Sequence, residues 1–146
     1  MTHIAGEVTI AAPVGEVFDM VADERNEPRY NPRIVRAEKV SEGPVSRGAR
    51  FVAEPKGMGA KGQMTMEVVE YDRPHRLRTV VRSSYLQVDG TVTFEEVDGG
   101  TQLSWDWDMG LVGAMRVLTP VLAVVGPRWE RRNWVGLKEY MESDRR

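Results

Sequence analysis

The side chains that most often carry acid–base or nucleophilic chemistry are sparse in this sequence. Its two histidines are His3, near the N-terminus, and His75, in a proline-containing turn, and neither falls on a predicted inward face. No cluster of histidine and carboxylate residues has the spacing of metal ligands. A Gly-x-Ser-x-Gly elbow is also missing, and Ser104 has no histidine near it in the pattern that could activate it. The sequence therefore predicts no catalytic residue, no metal and no cofactor.

Two other segments resemble functional motifs but have simpler interpretations. Gly57–Gly62 superficially resembles a phosphate-binding loop, yet it lacks the Gly-Lys-Ser/Thr ending and the helix that should follow. We interpret it as a mobile hairpin loop that could flank a cavity entrance. Residues 128–132 place three arginines around Glu130, and such a charged run usually forms a solvated helix face. A contact with an acidic ligand head group or with another subunit stays open as the alternative.

A larger set of mostly apolar and aromatic side chains is expected to face the interior. Thioethers adapt to irregular shapes, and aromatic faces hold flat apolar ligands. Each residue of the set could equally belong to a packed core, so both interpretations stay open. The candidates for lining a ligand cavity are Phe51, Met64, Met66, Thr79, Val81, Trp105, Trp107, Met115, Leu118, Leu122, Trp129 and Asn133, and the candidates for its rim are Met58 and Tyr85.

The N-terminal third of the chain predicts one strand followed by two short helices. Apolar residues alternate over residues 4–10, as in a strand with one buried face. Pro13 occupies a position tolerated at a helix start, and apolar residues then recur at helical spacing up to Val21. The polar stretch from Asp23 to Tyr30 contains Pro28, so a second helix there must be short.

The rest of the chain predicts a series of strands and then one long helix. Strand and hairpin signals run from Arg33 to Met109, and Thr101–Met109 alternates strictly, which indicates one wet and one buried face. Beyond Gly113, apolar residues recur every three or four positions. We expect a helix from about Leu111 to Met141, kinked near its internal prolines.

This order of elements predicts an α+β fold for a single domain covering residues 1–146. An antiparallel sheet of six to seven strands must cover its apolar face, and one long helix is available to do so. A helix about 10–12 Å wide cannot cover a wide flat sheet. The sheet is therefore expected to curl round the C-terminal helix and to leave a cavity of about 300–1,000 Å3, the range typical of small-ligand sites.

Composition and charge limit the kinds of binding partner and the cellular compartment that we expect for the protein. The chain has no cysteine, a net charge of −2 and a sequence pI of about 5.8, so nothing favours nucleic acid or an anionic membrane. The apolar stretch from Leu111 to Val125 is shorter than the roughly 20 residues that span a bilayer. No signal peptide is evident at Met1–Ile10. We expect a soluble, cytoplasmic protein.

Several segments together resemble a known family. They are residues 23–32, Gly48–Phe51 with Gly57–Gly59, residues 70–77, and the hairpin Asp98–Trp105. In order and spacing they are similar to the polyketide cyclase/dehydrase-like branch of the START-like, or helix-grip, superfamily, over nearly the whole chain from Ile4 to Met141. The resemblance implies a curved antiparallel sheet round a long C-terminal helix, with a hydrophobic ligand between them.

Three hypotheses for function remain open at this point. The first is binding of a small hydrophobic or amphipathic molecule, for transport or sequestration. The second is a cyclase or dehydratase acting on a polyketide-like substrate, in which Tyr30, Tyr85, Asp19 or an inward arginine could act as acid or base. The third is an interaction module that forms a homodimer through residues 111–125.

Overall fold

The strands of the molecule form one antiparallel sheet. The computed structural model describes residues 1–143, and within this range the sheet has seven strands in the order β1-β7-β6-β5-β4-β3-β2. Residues 144–146 of the predicted domain lie outside the described residues. The strands are β1 (Thr2–Ile10), β2 (Ile34–Lys39), β3 (Arg50–Pro55), β4 (Met64–Asp72), β5 (Arg76–Arg82), β6 (Leu86–Val97) and β7 (Gly100–Leu111).

Helices follow the first strand and end the described chain. They are α1 (Val14–Ala22), α2 (Glu27–Tyr30) and α3 (Thr119–Ser143), with 3-10 turns at Glu24–Asn26, Gly59–Gly62 and Gly113–Leu118. The sheet is curled into a half-barrel round α3, which confirms the predicted α+β helix-grip architecture. Within residues 1–143, no helix combines the length and apolarity needed to cross a membrane.

The long helix starts later than the sequence predicted. Leu111 is still in β7, where it pairs with Leu86, and the following 3-10 turn separates the strand from α3. The helix therefore begins at Thr119 and not near Leu111. Pro120 lies in its first turn, where a missing N–H costs no hydrogen bond, whereas Pro127 lies in the helix interior.

The core lies between the sheet and the buried face of α3. On the strands, burial alternates as expected, with Leu103 and Trp105 inward and Asp106 outward. On α3 the buried residues lie on one helical face, spaced by three, four or eight positions, and are Leu122, Gly126, Trp134, Leu137 and Met141. This face holds the helix in the curl of the sheet.

Glycines let α3 approach its neighbours closely. A Cβ on Gly126 would lie 2.7 Å from Ile4 Cδ1 of β1. A Cβ on Gly136 would lie 2.5 Å from the carbonyl oxygen of Tyr30, at the end of α2. Because neither position carries a side chain, α3 can pack close to the sheet edge and to the short helix α2.

Candidate functional site

A cavity of about 170 Å3, the inner cavity, lies between the sheet and α3. Most of its wall is apolar and comes from β4, β5, β6 and β7, which place alternate side chains on the inward face of the sheet. Its wall residues are Val21, Glu24, Glu27, Tyr30, Asn31, Arg33, Ile34, Met64, Met66, Leu77, Thr79, Val81, Leu86, Val88, Gly90, Val92, Trp107, Met109, Trp129, Glu130, Asn133 and Trp134.

A second space of about 490 Å3, the outer pocket, shares part of this wall. Arg33, Met64, Trp129 and Glu130 are among the residues that line both. The outer pocket adds exposed apolar side chains from the 3-10 turn and the first turns of α3, together with Met58 and Tyr85. The inner cavity alone is smaller than the size predicted from sequence, and the predicted several hundred Å3 is reached only with the outer pocket included.

The structure distributes the sequence-predicted lining residues over three places. Met64, Met66, Thr79, Val81, Trp107, Trp129 and Asn133 line the inner cavity. Leu122, Met115 and Leu118 line the outer pocket, as do the rim candidates Met58 and Tyr85. Phe51 and Trp105 are instead buried in the packed core and are not among the residues that line the inner cavity or the outer pocket.

Side-chain packing explains why Trp105 fills the core. Its ring stacks on Trp134 at a centroid distance of 5.8 Å, and it covers Gly6 on the neighbouring strand β1. Trp107 is two residues further along and faces the same way, but its ring covers Gly90 on β6. A Cβ on Gly90 would lie 1.8 Å from Trp107 Cε3, so the ring position depends on the absence of a side chain there.

The most polar region of the inner cavity, which we call the polar end, comprises Glu24, Glu27, Glu130, Asn133 and Trp134. Three of these residues are on α3 at positions i, i+3 and i+4, which places them on one face of the helix. The other two come from the short segment between α1 and β2. Elements distant in sequence thus bring these side chains to one cavity.

Glu130 is the central charged group of the polar end. Its Oε2 accepts a hydrogen bond of 2.5 Å from Trp107 Nε1. Burial raises the pKa of Glu130 to about 7, and the nearby Glu27 also raises it. The Trp107 N–H and Arg33 act in the opposite direction. A carboxyl group with this pKa can both hold and release a proton near neutral pH.

Glu27 and Glu24 add two further carboxyl groups. Asn31 is buried and donates from Nδ2 to Glu27 Oε1 at 3.0 Å, which fixes the orientation of the carboxylate. Burial raises the pKa of Glu24 well above its ordinary value, and Glu27 adds to the rise. Burial and the same two carboxyl groups also raise the pKa of Tyr30. The polar end therefore combines a Glu24 carboxyl group that favours its protonated form with the acceptor oxygens of Glu27 and Asn133.

Several buried polar atoms at the polar end make no hydrogen bond to any described residue. They are Glu27 Oε2, Asn133 Oδ1 and Trp134 Nε1. Trp134 is 4% exposed, and its N–H lies near enough to Glu130 to lower the pKa of that carboxyl group, although the two make no regular hydrogen bond. Buried polar groups are nearly always paired, so these atoms mark a place where a bound partner would be stabilising.

Arg33 and Trp129 lie where the inner cavity meets the outer pocket. The guanidinium carbon of Arg33 is 4.5 Å from the centroid of the Trp129 ring, a cation–π arrangement. Trp129 is 46% exposed, so it belongs to the opening of the site and not to the core. This positive charge lies at the opening of the site, near enough to Glu130 to lower the pKa of that carboxyl group.

The sequence-based reasoning missed Glu24, Glu27 and Glu130. An apolar stripe through Val125 and Trp129 predicts that Glu130 belongs to a solvated charged run. The buried face of α3 is one position further along and passes through Gly126 and Trp134, and Glu130 lies on it. A helical count backwards from Trp134 and Leu137 gives this phase and could have found Glu130.

The other candidates for acid–base chemistry have structural partners at the surface. Asp19 forms an ion pair with Arg73, with 2.7 Å between Oδ1 and Nε. His3 is in β1, and its Nε2 is 2.7 Å from Asp106 Oδ1. Tyr85 donates its hydroxyl to the carbonyl of Gly62 at 3.3 Å. In the described part of the chain, no group of three or more histidine or carboxylate residues is arranged to hold a metal ion.

A curled antiparallel sheet closed by a long C-terminal helix, with a cavity between them, is the helix-grip fold of START-like domains. Residues 1–142 match the family model described as polyketide cyclase / dehydrase and lipid transport. The chain therefore belongs to this family, which confirms the resemblance inferred from its sequence. No curated protein matches the chain by sequence.

Solved structures share the fold at low sequence identity. TTHA0849 from Thermus thermophilus has a TM-score of 0.80 and 20% identity, with 97% of this chain and 98% of that chain covered. A START superfamily protein from Mycobacterium smegmatis has a TM-score of 0.78 and 14% identity over 98% and 99% of the two chains. The di-domain ARO/CYC BexL from the BE-7585A biosynthetic pathway has a TM-score of 0.74 and 22% identity, with 97% of this chain but 47% of that chain covered.

Proposed function

We propose that the protein binds a small amphipathic molecule, with its polar group at the polar end and its apolar part along the sheet and into the outer pocket. The observation that carries this proposal is the set of buried polar atoms without partners among residues 1–143, at one end of a mostly apolar cavity. A few placed polar groups in an apolar pocket are typical of small-molecule sites. A ligand there would satisfy groups that otherwise cost free energy.

The outer pocket supports the same proposal, because it gives the ligand a route and additional room. Its exposed wall includes Met58, Met115 and Leu118, whose flexible or branched side chains can adapt to an apolar group. Apolar side chains are stabilised when a ligand removes them from water, at about 25 cal/mol per Å2 of buried apolar area. Transport or sequestration of the molecule would follow from such binding.

A blocking variant tests binding directly. Val88 is buried on β6 and lines the inner cavity, so Val88→Phe should fill the space. Gln87→Phe adds the same ring to the exposed face of the same strand and is the matched control. Apolar dyes and amphipathic probes are titrated with tryptophan fluorescence and melting temperature as readouts. Wild type and the control should bind and gain thermal stability, whereas Val88→Phe should not. Equal binding by all three proteins, or no binding to wild type, would contradict the proposal.

A second candidate function is acid–base catalysis of the cyclase or dehydratase type. The observation that favours it is Glu130, an inward carboxyl group with a pKa of about 7 that is hydrogen-bonded to Trp107. General acid–base catalysis is most effective when the pKa lies near the working pH. In a dehydration, the ionised Glu130 carboxylate would take the proton from the carbon next to the carbonyl, and the resulting carboxyl group would give that proton to the leaving hydroxyl group. The products are an alkene and water, and the carboxylate is restored.

Turnover of a model β-hydroxyketone separates this candidate from simple binding. Formation of the conjugated enone is followed by its ultraviolet absorption, and wild type should accelerate it while Glu130→Gln should not. Binding of the enone product to both proteins, measured by tryptophan fluorescence, shows whether the variant retains its cavity. A wild-type protein that binds the ketone without converting it would exclude dehydration of this substrate class.

A further inference from the structure

The chemistry of the polar end restricts the head group of the ligand. Glu27, Glu130 and Asn133 present oxygen atoms that accept hydrogen bonds, and two of these residues carry carboxylates when ionised. At the polar end, the buried side-chain atoms without a partner among residues 1–143 are two acceptors, Glu27 Oε2 and Asn133 Oδ1, and one donor, Trp134 Nε1. The fourth such atom, Trp105 Nε1, is in the packed core. A complementary head group must therefore donate at least one hydrogen bond.

Different head groups meet this requirement to different degrees. A hydroxyl group donates to one of the acceptors and accepts from the Trp134 N–H, and an amine donates to more than one acceptor. A carboxylate can accept from Trp134 but donates nothing, and its negative charge would be buried beside Glu27 and Glu130. Like charges placed together in a buried site oppose binding strongly.

We propose that the polar end binds a hydrogen-bond-donating head group, a hydroxyl or an amine, and rejects a carboxylate of the same shape. This inference rests on the proposed binding function and names the class of ligand that the same cavity selects. Fatty acids and other apolar carboxylates should therefore not bind with their carboxylate at the polar end. Arg33 also lines the cavity and lowers the pKa of Glu130, but its guanidinium lies over Trp129 at the opening. A carboxylate bound at the polar end would still lie beside Glu27 and Glu130.

A set of matched aromatic probes tests the selection. Naphthylethanol, naphthylethylamine, naphthylacetate and ethylnaphthalene share one ring system and differ in the head group. Dissociation constants are measured at a pH of about 8 by tryptophan fluorescence for wild type, Glu130→Gln, Arg33→Gln and Glu67→Gln. Glu67 is an exposed carboxylate on β4 and serves as the matched control for the loss of one negative charge.

The expected result is that the alcohol and the amine bind wild type tighter than naphthylacetate by roughly tenfold to a hundredfold. Glu130→Gln should gain affinity for naphthylacetate by about tenfold or more, because one carboxylate is removed, and Glu67→Gln should not. Naphthylacetate binding to wild type as tightly as the alcohol, whether or not Arg33→Gln abolishes it, would overturn the inference. Binding of ethylnaphthalene without any preference among head groups would overturn the inference but leave the binding function intact. Failure of every probe to bind would contradict the binding function itself.

Discussion

Replacement of Glu130 by glutamine should remove a pH-dependent loss of stability. The pKa of Glu130 rises from its ordinary 4.5 to about 7, mainly through burial. Between these pH values the native state binds more protons than the unfolded state, so stability falls as the pH rises and the loss is complete above a pH of about 7. At 1.36 kcal/mol per pKa unit, this loss is roughly 3 kcal/mol. Glutamine has nearly the same shape and still accepts from Trp107, but it does not ionise.

Urea denaturation of wild type and Glu130→Gln at pH values of about 5 and 8 measures this effect. As the pH rises from about 5 to about 8, the unfolding free energy of Glu130→Gln should increase by roughly 2–3 kcal/mol relative to that of wild type. Glu24 titrates in both proteins, so its main contribution cancels. The surface variant Glu67→Gln should show no comparable shift. A pH-independent difference, or a shift in favour of wild type at high pH, would refute the burial of an ionisable carboxyl group.

Four further substitutions test the packing that shapes the cavity. Trp105→Ala should lower the unfolding free energy by about 3–5 kcal/mol, and Trp107→Ala should cost less because Trp107 is partly exposed, as urea denaturation would show. Gly90→Ala should displace the Trp107 ring and lower the melting temperature together with a change in tryptophan fluorescence, and an unchanged spectrum would argue against the ring position. Gly136→Ala places a Cβ 2.5 Å from the carbonyl oxygen of Tyr30, so a melting temperature equal to wild type would contradict the close approach of α3.

Periodicity was sufficient to predict the architecture because most strands have one face buried. The alternation through Trp105 and Asp106 is a direct consequence of the pleat. In the structure Trp105 faces inward and Asp106 faces outward, as the sequence predicts. The need to cover one apolar sheet face with one helix then predicted the curl and the space beneath it. The boundary between β7 and the C-terminal helix could not be predicted in this way, since Leu111 is apolar and fits either the end of the strand or the start of the helix.

The polar end could not be predicted in the same way, because its members come from segments that look hydrophilic. Glu24 and Glu27 belong to a charged stretch between α1 and β2, and local sequence gives no sign that this stretch folds over a cavity. Glu130 was obscured by the arginines on either side of it. Asn133 and Thr79 were found because each interrupts an otherwise apolar inward series.

The pairing of the first strand with the last has a consequence for synthesis of the protein. β1 is an edge strand that pairs with β7, so Ile10 meets Thr101 and Thr2 meets Met109. At translation rates of about 5–20 residues per second, β1 exists for roughly 5–20 s before its partner has been made. During that time its apolar residues Ile4 and Ile10 have no sheet to join, and an unpaired strand edge is a site of aggregation. The edge of β1 therefore remains unpaired until β7 has left the ribosome and can pair with it.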